Sequence, residues 1–213
     1  MRTKHPDFHP RGLLPFMETL LQEAYWCENQ LCDVLDSVKS KATADPLREA
    51  LIGHLEETRN QVGRLEKIFS LLGRQKEALF CVGMQGLVDE AWQAVDETPE
   101  ESAERDAALI IAMQRIEHYE IVTYASLYAL SVASGYQDVS DLFEMSLAEE
   151  KKADGTLTRL AISLINPEAT RKSSGHVDAD EVRPLPGDTA VDVAESLPLS
   201  ENGIPEPLKN PMP

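Results

Sequence analysis

Apolar residues recur every three to four positions along four long stretches of this chain, and in each stretch the repeat is interrupted by acids or other polar groups where an aliphatic side chain is expected. The first stretch runs Met17, Leu20 or Leu21, Ala24, Glu28, Leu31, Leu35 and Val38. The second runs Leu47, Ala50 or Leu51, His54, Glu57, Gln61, Leu65, Ile68 and Leu72. The third runs Ile110, Met113, Glu117, Glu120 or Ile121, Tyr124 and Leu127, and the fourth Val139, Phe143, Ser146, Glu150, Ala153, Leu157, Leu160 or Ala161, and Leu164, with Asp154 beside it. A period near 3.6 predicts amphipathic helices, and a carboxylate inside a core stripe is costly unless it is paired or bound to a cation.

The helix boundaries follow from local chemistry. Pro15 suits a first turn, and the first helix is expected from about Gly12 to Lys41. Asp45-Pro46 opens the second, which Gly73 closes. The pattern weakens from Gly73 to Thr98, where a shorter helix containing Trp92 is expected over Leu79 to Val95. Thr98-Pro99-Glu100-Glu101 reads as a capping box opening the third long helix, with Glu100, Glu101 and Glu104 complementing its dipole and Gly135 ending it. Asp138 is expected to cap the fourth, and Asn166-Pro167 to stop it after Ile165. The fold class is therefore all-α.

Short connections make the first and second helices one antiparallel hairpin, and the third and fourth another. In such a hairpin, residues equally far from the turn lie side by side. The midpoint of 28 and 57 falls in the first connection, and that of 117 and 150 just before Gly135, so Glu28 is expected to face Glu57 and Glu117 to face Glu150. Each pair lies about fifteen residues, or roughly 22 Å, from its turn, and the hairpins can stack with all four acids at one level. Bare carboxylates there would repel one another; two divalent cations between them remove the difficulty, and oxygen-rich ligation suits iron or manganese better than zinc or copper. A His three residues after a ligand Glu is usual in such centres, but positions 60 and 153 hold Asn and Ala. Gln61, Asp154, His54 and Glu120 are the neighbours that remain as metal-site residues, with His54 or His118 able to orient ligands instead. Tyr25, Tyr119 and Tyr124 are expected to pack in the core with satisfied hydroxyls.

Charge narrows the partners. Over 213 residues the formal net charge is −17, with 20 Lys+Arg against 37 Asp+Glu, which argues against nucleic acid and against an anionic membrane surface. Met1 to Arg11 lacks the apolar core of a signal peptide, and a soluble, cytoplasmic protein is expected. Cys27, Cys32 and Cys81 read as reduced core thiols outside the metal site. From Pro167 to Pro213 the chain holds eight of its 13 prolines and no aromatic residue, the composition of a solvated acidic tail that can dock a protein partner. The expected domains are thus 12–166, a helical bundle, and 167–213, the tail.

Several segments, taken together and in this order, resemble the YciE/YciF-like family of ferritin-like bacterial stress proteins. They are Tyr25-x-x-Glu28-x-Gln30-Leu31, His54-x-x-Glu57-Thr58-x-x-Gln61-x-x-Arg64-Leu65-Glu66, Cys81-x-x-Met84-x-Gly86-Leu87, Asp106-Ala107-Ala108-Leu109-Ile110 leading to Glu117-His118-Tyr119-Glu120, and Glu149-Glu150-x-x-x-Asp154-x-x-Leu157. The resemblance covers about Leu13 to Ile162. It implies a ferritin-like four-helix bundle whose long crossover between the second and third helices carries the short extra helix, a dinuclear metal site similar to those of rubrerythrin and manganese catalase, and a homodimer. The expectation is a di-iron or di-manganese protein that reacts with peroxide or dioxygen and oxidises ferrous iron, with Glu57 and Glu150 bridging and Glu28 and Glu117 terminal. The alternative is a non-catalytic stress-associated adaptor acting through dimerisation and its tail; bulk iron storage would require a higher-order shell.

Overall fold

A computed structural model describes residues 13–173 of the chain. Its α-helices are α1 (Leu13–Val38, extended by a 3-10 turn at Lys39–Lys41), α2 (Asp45–Leu71), α3 (Val82–Asp96), α4 (Ala103–Ala133), α5 (Gln137–Leu160) and α6 (Asn166–Ser173), and no strand occurs among the described residues. The acidic tail expected beyond Pro167 lies, from residue 174 onward, outside the described residues.

The apolar stripes decide the packing. Met17, Leu21, Leu31 and Leu35 of α1, Leu47, Leu51, Leu65 and Ile68 of α2, Leu109, Ile110, Met113 and Leu127 of α4, and Phe143 and Leu157 of α5 are all buried. Each fully buried aliphatic contributes on the order of 1.5–3 kcal/mol of transfer free energy. The core is interrupted: one apolar cluster surrounds Leu31, Leu51, Leu109 and Met113, a second surrounds Met17, Leu65, Tyr124 and Phe143, and the polar residues of the stripes lie between them. α1 and α2 form one hairpin and α4 and α5 the other; α1 also packs on α4, and α2 on α5, leaving α2 and α4 diagonal across the bundle.

The expected turns hold where glycine is required. Gly73 and Gly135 adopt φ of 63° and 79°, the left-handed conformation that ends α2 and α4 with little steric cost. Between α2 and α3 the chain runs without helix, pinned by the Leu79 amide to the Gln22 carbonyl of α1 at 3.0 Å, and α3 returns along α4. This return lets α4 start at the same end of the bundle as α2. There Asp106 accepts from the amides of Thr43 and Ala44 at 2.7 and 2.8 Å, tying the first turn of α4 to the turn of the other hairpin.

Three expected boundaries are corrected. Thr98 does not cap α4: its hydroxyl donates back to the Ala94 carbonyl at 2.6 Å and closes α3. The cap is Ser102, whose Oγ accepts from the Arg105 amide at 3.1 Å, because Glu101 takes φ of 51° and breaks any helix begun at Pro99. Asp138 lies inside the first turn of α5 and complements its dipole, while Tyr136 occupies the cap position without a side-chain bond. Finally, Asn166-Pro167 does not stop the chain. Ala161–Ile165 forms a π turn in which the Asn166 amide reaches the Ala161 carbonyl, and α6 continues through Pro167. A wider turn there relieves the clash a proline ring makes with the carbonyl four residues earlier.

Candidate metal centre

The polar positions of the four stripes converge in one dry layer. Glu28, His54, Gln61, Glu117, Glu120 and Glu150 are each at most 7% exposed. One ligand atom from each of His54, Glu117, Glu120 and Glu150 lies within 4.8 Å of all the others. His54 Nε2 stands 3.1 Å from Glu117 Oε1 and 4.0 Å from Glu150 Oε2, a contact across the diagonal from α2 to α4 and on to α5. Glu28 meets the group from α1, its Oε1 accepting from the hydroxyl of Tyr124.

The surrounding polar side chains hold these acids in place. Tyr124, itself buried, donates to Glu28 Oε1. Gln61 donates its amide to Glu150 Oε1 and, at 3.0 Å, to Glu149 Oε2. Arg64 backs this up with two bonds to Glu149 at 2.8 and 2.9 Å and one to Ser146 at 2.7 Å.

Electrostatics follow from burying acids together. Burial, opposed by the Tyr124 hydrogen bond and by His54, raises Glu28 to about 7. Burial first, then repulsion from Glu28, Glu150 and Glu117, pushes Glu120 well above the ordinary carboxyl range; Glu150 rises likewise from burial and from Glu28 and Glu117. Burial works against a charged His54, but Glu117, Glu28 and Glu57 outweigh it and hold the imidazole above its usual value.

Not every expected residue reaches the layer. Glu57 does not face Glu28: three residues beyond His54 the helix has turned about 300°, so Glu57 falls to the flank of α2 and pairs with Lys152 at 2.6 Å. Thr58 takes the inward place, its hydroxyl bonded to the His54 carbonyl at 3.0 Å, and Glu57 is not placed to bridge ions with Glu150. Asp154 also points elsewhere, accepting from Gln114 at 2.9 Å and lying 3.5 Å from the exposed His118. Tyr25 bonds Glu66 near the surface, at 3.0 Å. The structure adds Arg64 and Glu149 to the layer's support and draws in Glu120; an arginine one turn beyond Gln61 was the available sequence signal for the first.

A cavity of about 150 Å³ opens beside the layer, lined in part by His54, Glu117, Ala153 and Leu157, with the Glu57 and Lys152 pair also in its wall. A much smaller one, about 10 Å³, lies on the other side between Cys27, Glu28, Tyr119, Glu120 and Tyr124. No described helix is long and apolar enough to cross a membrane.

A profile described as "Domain of unknown function (DUF892)" matches residues 16–170, a span that includes every residue of the layer. Protein YciF of Escherichia coli strain K12 is 37% identical over 155 residues, which are 72% of this chain and 93% of YciF. The crystal structure of that E. coli stress protein aligns at TM-score 0.70 and 35% identity, over 74% of this chain and 99% of that one. YcfI from Rhodopseudomonas palustris aligns at TM-score 0.68 and 31% identity, over 71% and 98% of the two chains. A Xanthomonas campestris pv. campestris protein, 19% identical, shares the fold at TM-score 0.57, with 76% and 99% covered. With both hairpins and the whole acid layer inside the match, the chain belongs to the DUF892 family and is similar across its bundle to YciF.

Proposed function

We propose that the layer is a metal centre for two divalent cations, iron or manganese, held by Glu28, His54, Glu117, Glu120 and Glu150, in a stress protein that reacts with peroxide or dioxygen and oxidises ferrous iron. One observation carries this reading. Among the described residues, all six buried side-chain atoms without a hydrogen-bond partner belong to this layer: Glu28 Oε2, His54 Nδ1, Gln61 Oε1, Glu117 Oε2, Glu120 Oε1 and Glu150 Oε2. Each orphan costs roughly 1–3 kcal/mol, so a bundle that concentrates them needs a compensating charge at that point. One imidazole among several carboxylates, with no thiolate in the cluster, is the donor set of iron or manganese.

Bound there, such a pair of ions supplies redox chemistry and open positions for a small oxidant. The chain's own residues do the rest. Tyr124 fixes Glu28, and the Gln61 amide fixes Glu150 with Arg64 and Glu149 behind it. The apolar clusters above and below exclude bulk water. The larger cavity gives a molecule the size of peroxide a route to His54 and Glu117. Pairing of two chains belongs to the same reading: Ile111 and Val122, 54% and 66% exposed, lie eleven residues apart on one outer face of α4.

The test is reconstitution of the full chain with ferrous iron or manganese, followed by metal analysis and optical spectroscopy. About two ions per chain with a dinuclear signature, and ferrous oxidation coupled to peroxide loss, are expected. Bound metal staying well below that ratio ends the proposal. Light scattering that returns the mass of one chain removes the dimer.

A further inference from the structure

The larger cavity has more room than hydrogen peroxide or dioxygen needs. Either of those is little bigger than a water molecule, whereas a pocket of about 150 Å³ has the volume that takes a benzene ring in an engineered protein cavity. Its walls come from α2 and α5, which pack side by side. Leu51, Ala153 and Leu157, all buried, make those walls apolar, and the short side chains of Ala50 and Ala153 leave the space between them open. Gly53 belongs to the same wall. A Cβ there would meet nothing within 4 Å, so no packing contact requires a glycine inside α2, where it weakens the helix.

The two ends of the pocket differ in chemistry. His54 and Glu117, 7% and 1% exposed, line its buried end, and each keeps one atom without a hydrogen-bond partner, Nδ1 and Oε2. The Glu57 and Lys152 pair lines the end toward solvent, the two charges 2.6 Å apart. Glu57 already engages the one cationic side chain of the lining, so an anion entering this apolar space would be stripped of water without a free counter-charge. A neutral molecule with an apolar body and one short polar end matches both the walls and the buried end.

We propose that this pocket binds a small organic hydroperoxide, a neutral molecule such as tert-butyl hydroperoxide, with its alkyl group against Leu51, Ala153 and Leu157 and its O–O group toward His54 and Glu117. The proposal rests on the metal-centre reading above and narrows its oxidant. The alkyl body buries apolar surface that hydrogen peroxide does not have, and this is the source of the discrimination. In the metal-free protein Glu117 Oε2 is an acceptor without a donor, and the single O–H of the ligand supplies one. The reaction keeps its balance: the O–O bond breaks, two ferrous ions give up one electron each, and two protons complete an alcohol and a water where hydrogen peroxide gives two waters.

Two inert probes separate size from charge. Neopentyl alcohol has the shape of tert-butyl hydroperoxide with a methylene in place of one oxygen, and pivalate carries the same tert-butyl body on a carboxylate. The full-length protein, labelled with nitrogen-15 and kept metal-free by a chelator, is titrated with each while its amide resonances are followed. Neopentyl alcohol should saturate with a Kd of about 1 mM, ordinary for so small a ligand, and move the amides of α2 and α5 around Gly53, His54 and Ala153. Pivalate should bind about tenfold more weakly or worse. Ala50→Leu and Ala153→Leu, made separately, should each weaken the alcohol about tenfold by filling the space, the spectrum itself reporting whether each variant is folded. In the iron-loaded wild type, kcat/KM for tert-butyl hydroperoxide should equal or exceed that for hydrogen peroxide. Absence of saturable alcohol binding, pivalate binding as tightly as the alcohol, or a preference for hydrogen peroxide overturns the proposal in the wild-type protein irrespective of how the variants fold, and with about two ions bound per chain each of these results leaves the metal centre standing. Metal loading well below that ratio while the alcohol still binds ends the metal-centre reading instead, and the hydroperoxide as occupant with it.

Discussion

Glu28 allows the tension between stability and metal binding to be measured directly. In the metal-free protein its carboxyl titrates near 7 instead of its usual 4.5, because burial disfavours the anion. A group whose folded value is raised contributes its full stabilisation below the unfolded value and loses it as pH rises through the folded one. The metal-free protein should therefore lose stability between about pH 4.5 and pH 7. At about 1.4 kcal/mol per pH unit, ionised Glu28 costs about 3 kcal/mol at pH 8. Glu28→Gln removes the charge and keeps a carbonyl oxygen for the Tyr124 hydroxyl. It should stabilise the chelated protein at pH 8 by about 3 kcal/mol, roughly 6–12 °C in Tm for a bundle of this size, and change little at pH 4.5. Urea denaturation across this range, on both proteins, is the assay. Ferrous or manganous ion should reverse the order, since ligand at about a thousand times its Kd adds about 4 kcal/mol to whichever protein binds it. If Glu28→Gln lowers stability equally at pH 4.5 and pH 8 without metal, the idea of an uncompensated buried acid is wrong.

Other perturbations separate the parts of the centre. Tyr124→Phe strips Glu28 of its buried donor and should cost roughly 1–3 kcal/mol in denaturant unfolding, with weaker metal uptake in a titration. Lys152→Ala breaks an ion pair of which the lysine is 69% exposed; it should alter stability by less than about 1 kcal/mol while speeding metal entry in stopped-flow loading, and unchanged kinetics would show that the route lies elsewhere. Gly83→Ala drives a methyl group toward the Tyr119 ring and should cost about 1–3 kcal/mol, measurable as a lower Tm. Asp106→Ala frees two amides at the hairpin turn and should destabilise by a similar amount, with amide exchange at Thr43 and Ala44 accelerated.

The sequence disclosed the helices because long amphipathic repeats dominate their own local preferences, and Gly73 and Gly135 could be read as terminators since only a left-handed residue closes those turns. Three of the four acids placed at one level, Glu28, Glu117 and Glu150, do meet, because hairpin symmetry is a counting argument that survives small changes in the turn. Glu57 failed for an angular reason: counting fixes height along a helix, but its azimuth is about 60° from His54, enough to carry a side chain from the core to the rim. Asp154 failed similarly, and a hydrogen bond with Gln114 holds it there. Thr98 and Ser102 illustrate a different limit. Two capping signals four residues apart compete, and the choice rests on Glu101 entering positive φ, which no local pattern announces.

The clasp formed by Asp106 and the turn amides sets an axial zero for the whole assembly. His54 lies eleven residues past Thr43 and Glu117 eleven past Asp106, so two parallel helices measured from one fastening arrive at the same height, roughly 16 Å away, where their side chains touch. Greasy surfaces alone would tolerate sliding, being indifferent to direction. An inserted or deleted residue in either span would therefore shift one partner by a step of 1.5 Å and swing it by about 100°, uncoupling the imidazole from its acid even with every apolar contact repaired. Chain length between clasp and centre is on this account as tightly specified as the identity of the residues at either end.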